Sequence, residues 1–252
     1  MIIAQISDTH LTLDTPDADQ RISDFEAVIA DINSLDPAPD VIVHTGDIVH
    51  NGLREEYAKA VEIISRSKFP LYALVGNKDD RTEMKSAFSD QGYINRNSEF
   101  VDYAVDDGPV RMIMLDTLCI GSNKGDFCEK RADKFNNMIE NDIIKPIAVF
   151  THHPPFEVSV GPEPLHFDDP AAMQRLRRTL QNSGRVKGIF SGHVHRATTG
   201  QIDGIPTSVM SAVATPLRWD TYPDAMKTRP VYQIHRFDEE GAFSSETRIV
   251  SD

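Results

Sequence analysis

The chain has 252 residues, 40% of them hydrophobic and 26% charged, ordinary globular proportions that supply one sizeable core. Its 39 acidic against 26 basic residues leave a formal net charge of −13, which disfavours a nucleic-acid polymer as partner unless a basic groove or bound cations reverse the sign locally. Two cysteines, Cys119 and Cys128, make no disulfide framework, the chain opens without a basic leader, and no stretch approaches membrane-spanning length; the expectation is a cytoplasmic protein with free thiols and no membrane partner.

Ile2-Ile3-Ala4-Gln5-Ile6 is a short apolar run that reads as a buried strand, broken at its end by Ser7 and Asp8. Asp8 and His10 stand two apart, so an extended path through both sends their side chains to one face, half of a metal site. Alone, this pair reads first as a turn whose Asp caps the backbone. A polar loop follows, then Ile22, Phe25, Val28, Ile29, Ile32 and Leu35 at helical spacing, closed by Pro37 and Pro39. Residues 40–45 form a second strand, with Gly46 permitting a close turn before Asp47. Leu53, Tyr57, Val61 and Ile64 mark a second helix; residues 70–75 a third strand, leading into Gly76-Asn77-Lys78-Asp79-Asp80-Arg81 and a short helix through Met84 and Phe88. The β-α-β-α-β order implies parallel strands with right-handed crossovers.

From residue 100 the pattern changes. Val101, Tyr103 and Val105 alternate, residues 106–109 read as a turn, and residues 112–115 return as a strand, predicting a hairpin edge. A helix over 129–141 precedes the strand 147–150, which presents His152 and His153. The loop 154–170, with Gly161-Pro162-Glu163-Pro164 at its centre, is long enough for a lid or pocket wall. The helix 171–182 carries Arg175, Arg177 and Arg178, read as a solvated face; residues 186–190 form a strand ending in Ser191-Gly192-His193-Val194-His195, and short strands cover 205–209 and 231–234. With no repeat or linker, the expectation is a single domain over 1–252, in which 154–170 and 214–229, the latter with Trp219 and Tyr222, are candidate cap or dimerisation elements. Five apolar runs thus end in polar tips.

Taken in order, Asp8-x-His10, Gly46-Asp47, Gly76-Asn77-x-Asp79, His152 in His-His-Pro-Pro, and Gly192-His193-x-His195 resemble the complete motif set of the calcineurin-like metallophosphoesterases, over residues 8 to 195. The Gly-Asn-x-Asp-Asp-Arg and His-His-Pro-Pro runs most resemble the branch of class III cyclic-nucleotide phosphodiesterases and glycerophosphodiesterases. The resemblance implies an α/β fold, a four-layer α/β/β/α sandwich of two mixed sheets, with two divalent or trivalent metal ions at the strand ends. Asp8, His10, Asp47 and His195 would hold one; Asp47, Asn77, His152 and His193 the other, bridged by Asp47. Iron, manganese or zinc suits these donors, and the neutral oxygen of Asn77 leaves one site more weakly held. His152 is the implied ligand because it stands two before Pro154; His153 would line the substrate pocket, with Asn77, Lys78 and His195 also facing substrate. Asp79 is expected to orient its loop, Gly46, Gly76 and Gly192 also have a plain reading as turn residues, and His44, His50, His166 and His235 read as ordinary packed or solvated histidines.

Lys78 departs from the family, which usually has histidine there, contacting phosphate and proposed to protonate the leaving group. Lysine keeps the positive charge but is a poor proton shuttle at neutral pH. The implied activity is hydrolysis of small phosphodiesters, with Asp47 and Lys78 as catalytic residues and two metals roughly 3.5–4 Å apart activating a water for attack on phosphorus. The alternatives are a broad-specificity phosphomonoesterase and a degenerate member that binds metal without turnover, the latter supported only by Lys78. Homo-oligomerisation is left open by the sequence.

Overall fold

The structure is a computed structural model that describes residues 1–141, 144–158, 166–219 and 222–251. Its first half runs β1 (Ile2–Ile6), α1 (Ala18–Asn33), β2 (Val41–His44), α2 (Arg54–Ile64), β3 (Leu71–Ala73) and α3 (Arg81–Ala87). The second half runs β4 (Tyr103–Val105), β5 (Arg111–Leu115), α4 (Glu129–Glu140), β6 (Ile147–Thr151), α5 (Pro170–Asn182), β7 (Val186–Ser191), β8 (Thr198–Ile202), β9 (Ile205–Val209), α6 (Asp224–Lys227), β10 (Val231–Phe237) and β11 (Phe243–Ile249).

Local chemistry fixes the helix starts. Glu56 reaches back to the backbone N–H groups of Leu53 and Asn51 at the head of α2, Asp80 Oδ1 accepts from the N–H groups of Thr82 and Glu83 at the head of α3, and Asp169 accepts from Ala171 ahead of α5. Phe25, Val28, Ile29 and Ile32 line the buried face of α1.

The strands form two mixed sheets, one ordered β11-β10-β1-β2-β3 and the other β4-β5-β6-β7-β9-β8. Strands β1, β2 and β3 are parallel, as are β5, β6, β7 and β9; β4 and β5 make the expected antiparallel hairpin edge. Period-two alternation in the second sheet shows the layering. Met112, Met114, Ala148, Phe150 and Phe190 join the core shared with the first sheet and its helices α1 and α2, while Ile113, Leu115, Ile147 and Val149 pack with Phe135, Leu176 and Leu180 of α4 and α5. The result is the four-layer α/β/β/α sandwich. Strands β8 and β11, absent from the sequence reading, are polar edge strands; their largely solvent-facing residues leave no hydrophobic signal.

The sheets are also tied by a buried polar link beneath the strand ends. Gln5 on β1 donates to Thr45 Oγ1 at 3.0 Å and to the Ser191 carbonyl at 3.1 Å, and its Oε1 lies 2.9 Å from His235 Nε2. Among the described residues no helix is long and apolar enough to cross a membrane, and Cys119 and Cys128 are free thiols.

Candidate metal centre

Asp8, His10, Asp47, His193 and His195 all adopt left-handed backbone conformations, with φ of 53°, 41°, 51°, 73° and 56°. Among the described residues the one other non-glycine with positive φ is Asp203, in the β8–β9 turn. Such strain concentrates where function needs a particular side-chain direction. It also corrects the extended reading of Asp8-x-His10: β1 ends at Ile6, and the two side chains converge through left-handed kinks. The kinks are held by neighbouring loops, Asp8 N–H donating to the Gly46 carbonyl at 3.0 Å and His10 N–H to that of Asp47 at 2.9 Å. Gly76 and Gly192 are more than turn residues. A Cβ at 76 would run into the carboxylate and backbone of Asp47, and one at 192 into Ser7 Oγ and the Asp8 carboxylate.

Two clusters result. Asp8, His10, Asp47 and His195 offer ligand atoms all within 4.8 Å of one another, and so do His152, His153 and His193. In the first, His10 Nε2 lies 3.0 Å from His195 Nε2 and 3.3 Å from Asp47 Oδ2, and His195 Nε2 lies 3.4 Å from Asp8 Oδ1. In the second, His152 Nε2 lies 3.1 Å from Asn77 Oδ1 and 3.5 Å from Asp47 Oδ1. The Asp47 carboxylate therefore presents one oxygen to each cluster, its Oδ1 also accepting from the Lys78 N–H at 2.7 Å. The Lys78 side chain itself is exposed.

The tautomers follow from the partners. A carbonyl can only accept, so His152 Nδ1–H donates to Thr45 O and His195 Nδ1–H to Leu217 O, both at 2.8 Å, turning each Nε2 inward as metal ligation requires. Burial pushes His10 and His193 down to about 3 and His153 well below the usual imidazole range. Burial also disfavours charge on His152, but the Asp47 charge and hydrogen bond outweigh it and carry the imidazole up to about 9; Asp8 raises His195 likewise. Burial alone would raise Asp8 and Asp47, yet the adjoining imidazoles hold both below the usual carboxylate range. Asp8 Oδ1 and His193 Nε2 are buried without a hydrogen-bond partner. Two shielded carboxylates, the imidazoles of His10, His153 and His193 held neutral by burial, and orphaned polar atoms facing one another make a donor set that fits cations.

Other residues fall into place around this centre. Asp79 ties its loop to the rest of the site, accepting from the N–H groups of Gly76, Ile48 and Val49 and from the Tyr57 hydroxyl. His44 and His235 have partners at both ring nitrogens, as expected of packed residues. His50 belongs to neither cluster but packs on a ligand, its Nδ1 lying 3.4 Å from His10 Nδ1. Only tertiary contact reveals this, since position 50 carries no motif signal of its own. Arg175 and Arg177 make surface ion pairs on the solvated face expected of this helix. Arg175 reaches the Phe127 carbonyl and Glu129, and Arg177 pairs with Asp203.

A cavity of about 610 Å³ opens beside Asn77, walled by Arg81, Phe100, Cys119 and Arg131. Arg81 is held there by a bidentate pair with Asp116 at 2.6 and 2.7 Å. Of the expected cap element 214–229, Leu217, Trp219 and Tyr222 touch the centre, Leu217 through its carbonyl and the other two by Trp219 N–H and Tyr222 Oη donating to the His195 carbonyl. In the 154–170 segment, Phe167 packs edge-on to His153, while the Gly161-Pro162-Glu163-Pro164 run lies outside the described residues.

Comparison with known proteins agrees with this geometry. The calcineurin-like phosphoesterase family profile matches residues 1–197. The chain is 30% identical over 258 residues to a probable glycerophosphodiester phosphodiesterase of Arcobacter nitrofigilis, covering 99% of this chain and 93% of the relative. It is 30% identical over 226 residues to a cAMP/cGMP dual specificity phosphodiesterase of Mycobacterium tuberculosis, covering 84% of this chain and 67% of the relative. A dimetal phosphatase from Danio rerio shares the fold, with a TM-score of 0.70 at 12% identity over 100% of this chain and 99% of that one. Its strand-end site and its sequence together make this chain a member of the calcineurin-like phosphoesterase family, a metallophosphoesterase that hydrolyses phosphoric esters.

Proposed function

We propose that the chain is a dinuclear phosphodiesterase acting on small diesters of the glycerophosphodiester or cyclic-nucleotide kind. The observation that carries this is the Asp47 carboxylate, buried and set with one oxygen toward each cluster. Asp8, His10 and His195 would complete one site, and Asn77, His152 and His193 the other. Iron, manganese or zinc is the proposed metal. When bound, two such ions supply Lewis-acid polarisation of the phosphoryl oxygens and activation of a water.

The chain's own residues then set orientation. Thr45 and Leu217 fix the imidazoles of His152 and His195 through their Nδ1–H groups. His195, whose side chain is 15% exposed, and Asn77, half-buried, reach the mouth of the site where the ester would enter. Lys78, exposed beside Asn77, is the proposed cation for the phosphate, and the cavity beside Asn77 takes the alcohol portion. The proposed unit is one domain acting in the cytoplasm, with 154–170 and 214–229 assigned as cap or homo-oligomer elements. A charge of −13 favours a small ester over a nucleic-acid polymer.

The names of the relatives support the diester preference. The test is turnover of glycerophosphodiesters, cyclic nucleotides and aryl monoesters by the metal-loaded protein. Faster cleavage of a diester class is expected. Cleavage confined to monoesters, or efficient salt-sensitive cleavage of duplex DNA, contradicts the proposal.

A further inference from the structure

The histidine beside the expected ligand has a hydrogen-bond arrangement that the mechanism above leaves unused. His153 is fully buried, and its Nδ1 lies 2.8 Å from Thr117 Oγ1. A short chain of hydroxyls fixes the direction of that bond. Thr151 Oγ1 donates its single proton to the His153 carbonyl at 3.3 Å, so in its 3.2 Å contact with Thr117 Oγ1 it accepts. Thr117 has thereby used its own proton and can only accept from His153. The proton is therefore on His153 Nδ1, and the lone pair is on Nε2.

That Nε2 is buried and has no hydrogen-bond partner, as is His193 Nε2. An unmet buried acceptor is costly, so it calls for an occupant. The arrangement repeats that of His152 and His195, whose Nδ1–H groups are pinned on carbonyl oxygens while Nε2 faces the centre. His44 and His235, also buried, contrast with it because both of their ring nitrogens are satisfied. A lone pair repels phosphate oxygens, so this tautomer does not suit the substrate-binding role expected for His153.

We propose that His153 Nε2 is a ligand of the second metal ion, which is then held by three imidazoles, His152, His153 and His193, together with Asp47 and Asn77. The inference rests on the dinuclear reading above. Donor atoms of the three histidines lie within 4.8 Å of one another. Metal–nitrogen bonds of roughly 2.0–2.1 Å hold three nitrogens on one ion no more than about 3.6 Å apart, so the rings would draw together by on the order of an ångström as the ion binds. Three imidazoles shift this site toward zinc, cobalt or ferrous iron and away from magnesium or calcium.

Stepwise cobalt(II) binding to metal-stripped protein tests this, read by calorimetry and by the visible d–d spectrum, in the wild type, His153→Ala, Thr117→Val and Asn77→Ala. His153→Ala should weaken the second ion about 10–100-fold and change its d–d bands, leaving the first ion as in the wild type. Thr117→Val releases the Nδ1 proton without removing the ring and should give a smaller loss in the same direction; it decides the matter if His153→Ala does not fold. Unchanged second-ion affinity and spectrum in these variants, with the second ion still lost in Asn77→Ala, overturns the His153 assignment and leaves the dinuclear centre standing. A wild type that binds a single cobalt overturns both.

Discussion

The two clusters that meet at Asp47 differ in how they are held. The Asp8 side is carboxylate-rich and internally paired, His10 and His195 contacting each other and the two aspartates at 3.0–3.4 Å. The His152 side has three histidines and the neutral amide of Asn77, with two orphaned ring nitrogens. The same fold thus builds a carboxylate-rich pocket, with one orphaned oxygen on Asp8, next to one made mainly of imidazole and amide donors with two orphaned ring nitrogens. A cation on the first side meets formal negative charge, whereas one on the second gains mainly from neutral donors, so the second ion should bind more weakly and exchange more readily.

The largest effect should come from removing what the two sides share. Asp47→Ala is expected to deplete both ions and reduce turnover by at least about 10³-fold, beyond the loss of a single transition-state donor; elemental analysis and steady-state rates check it. Asn77→Ala should separate the sides, losing the second ion while the first stays, and equal depletion of both would break the contrast. Lys78→Ala lies outside both ligand sets, so metal content should be unchanged while turnover falls about 10–100-fold. If Lys78 acts as a fixed cation, alkyl and nitrophenyl diesters lose equally; a loss confined to alkyl esters and restored by Lys78→His identifies a proton donor instead.

A smaller effect is expected from His50→Leu. This removes the group facing His10 Nδ1 and should weaken the first ion about 10-fold, with the second untouched, as titration of each ion would show. The smallest lies away from both clusters and serves as their control. Burial and the neighbouring Asp116 push the Asp102 carboxyl up to about 7 from an ordinary 3.8. Its folded-state pKa is raised, so its contribution to stability is full below the ordinary value and is lost as pH rises toward 7. Asp102→Asn should therefore gain melting temperature relative to wild type across that window, by on the order of a few degrees, with both metal affinities unchanged.

Much of this was legible in the sequence because apolar strands ending in polar residues carry their own signal. The runs before Asp8, Asp47, Asn77, His152 and His193 are hydrophobic over short lengths and stop abruptly, so both the strand and its functional tip can be read. Edge strands β8 and β11 could not be read, being polar and largely solvent-facing. Nor could the manner of convergence, since the left-handed kinks near the centre are tied by hydrogen bonds between loops distant in sequence, such as Asp8 N–H to the Gly46 carbonyl, His10 N–H to that of Asp47 and His193 N–H to the Asp8 carboxylate. The setting of His50 against His10, and of His153 on Thr117, is equally a product of tertiary contact.

The central claim is that one carboxylate, Asp47, joins two metal sites of different character. Anomalous diffraction from crystals loaded with a zinc and manganese mixture, recorded at both absorption edges, tests it most directly. The account predicts two resolved ions, each bonded to a different oxygen of Asp47, with the Asp8 side occupied at lower metal concentration than the His152 side. A single ion, or two ions of which one makes no bond to Asp47, would contradict it.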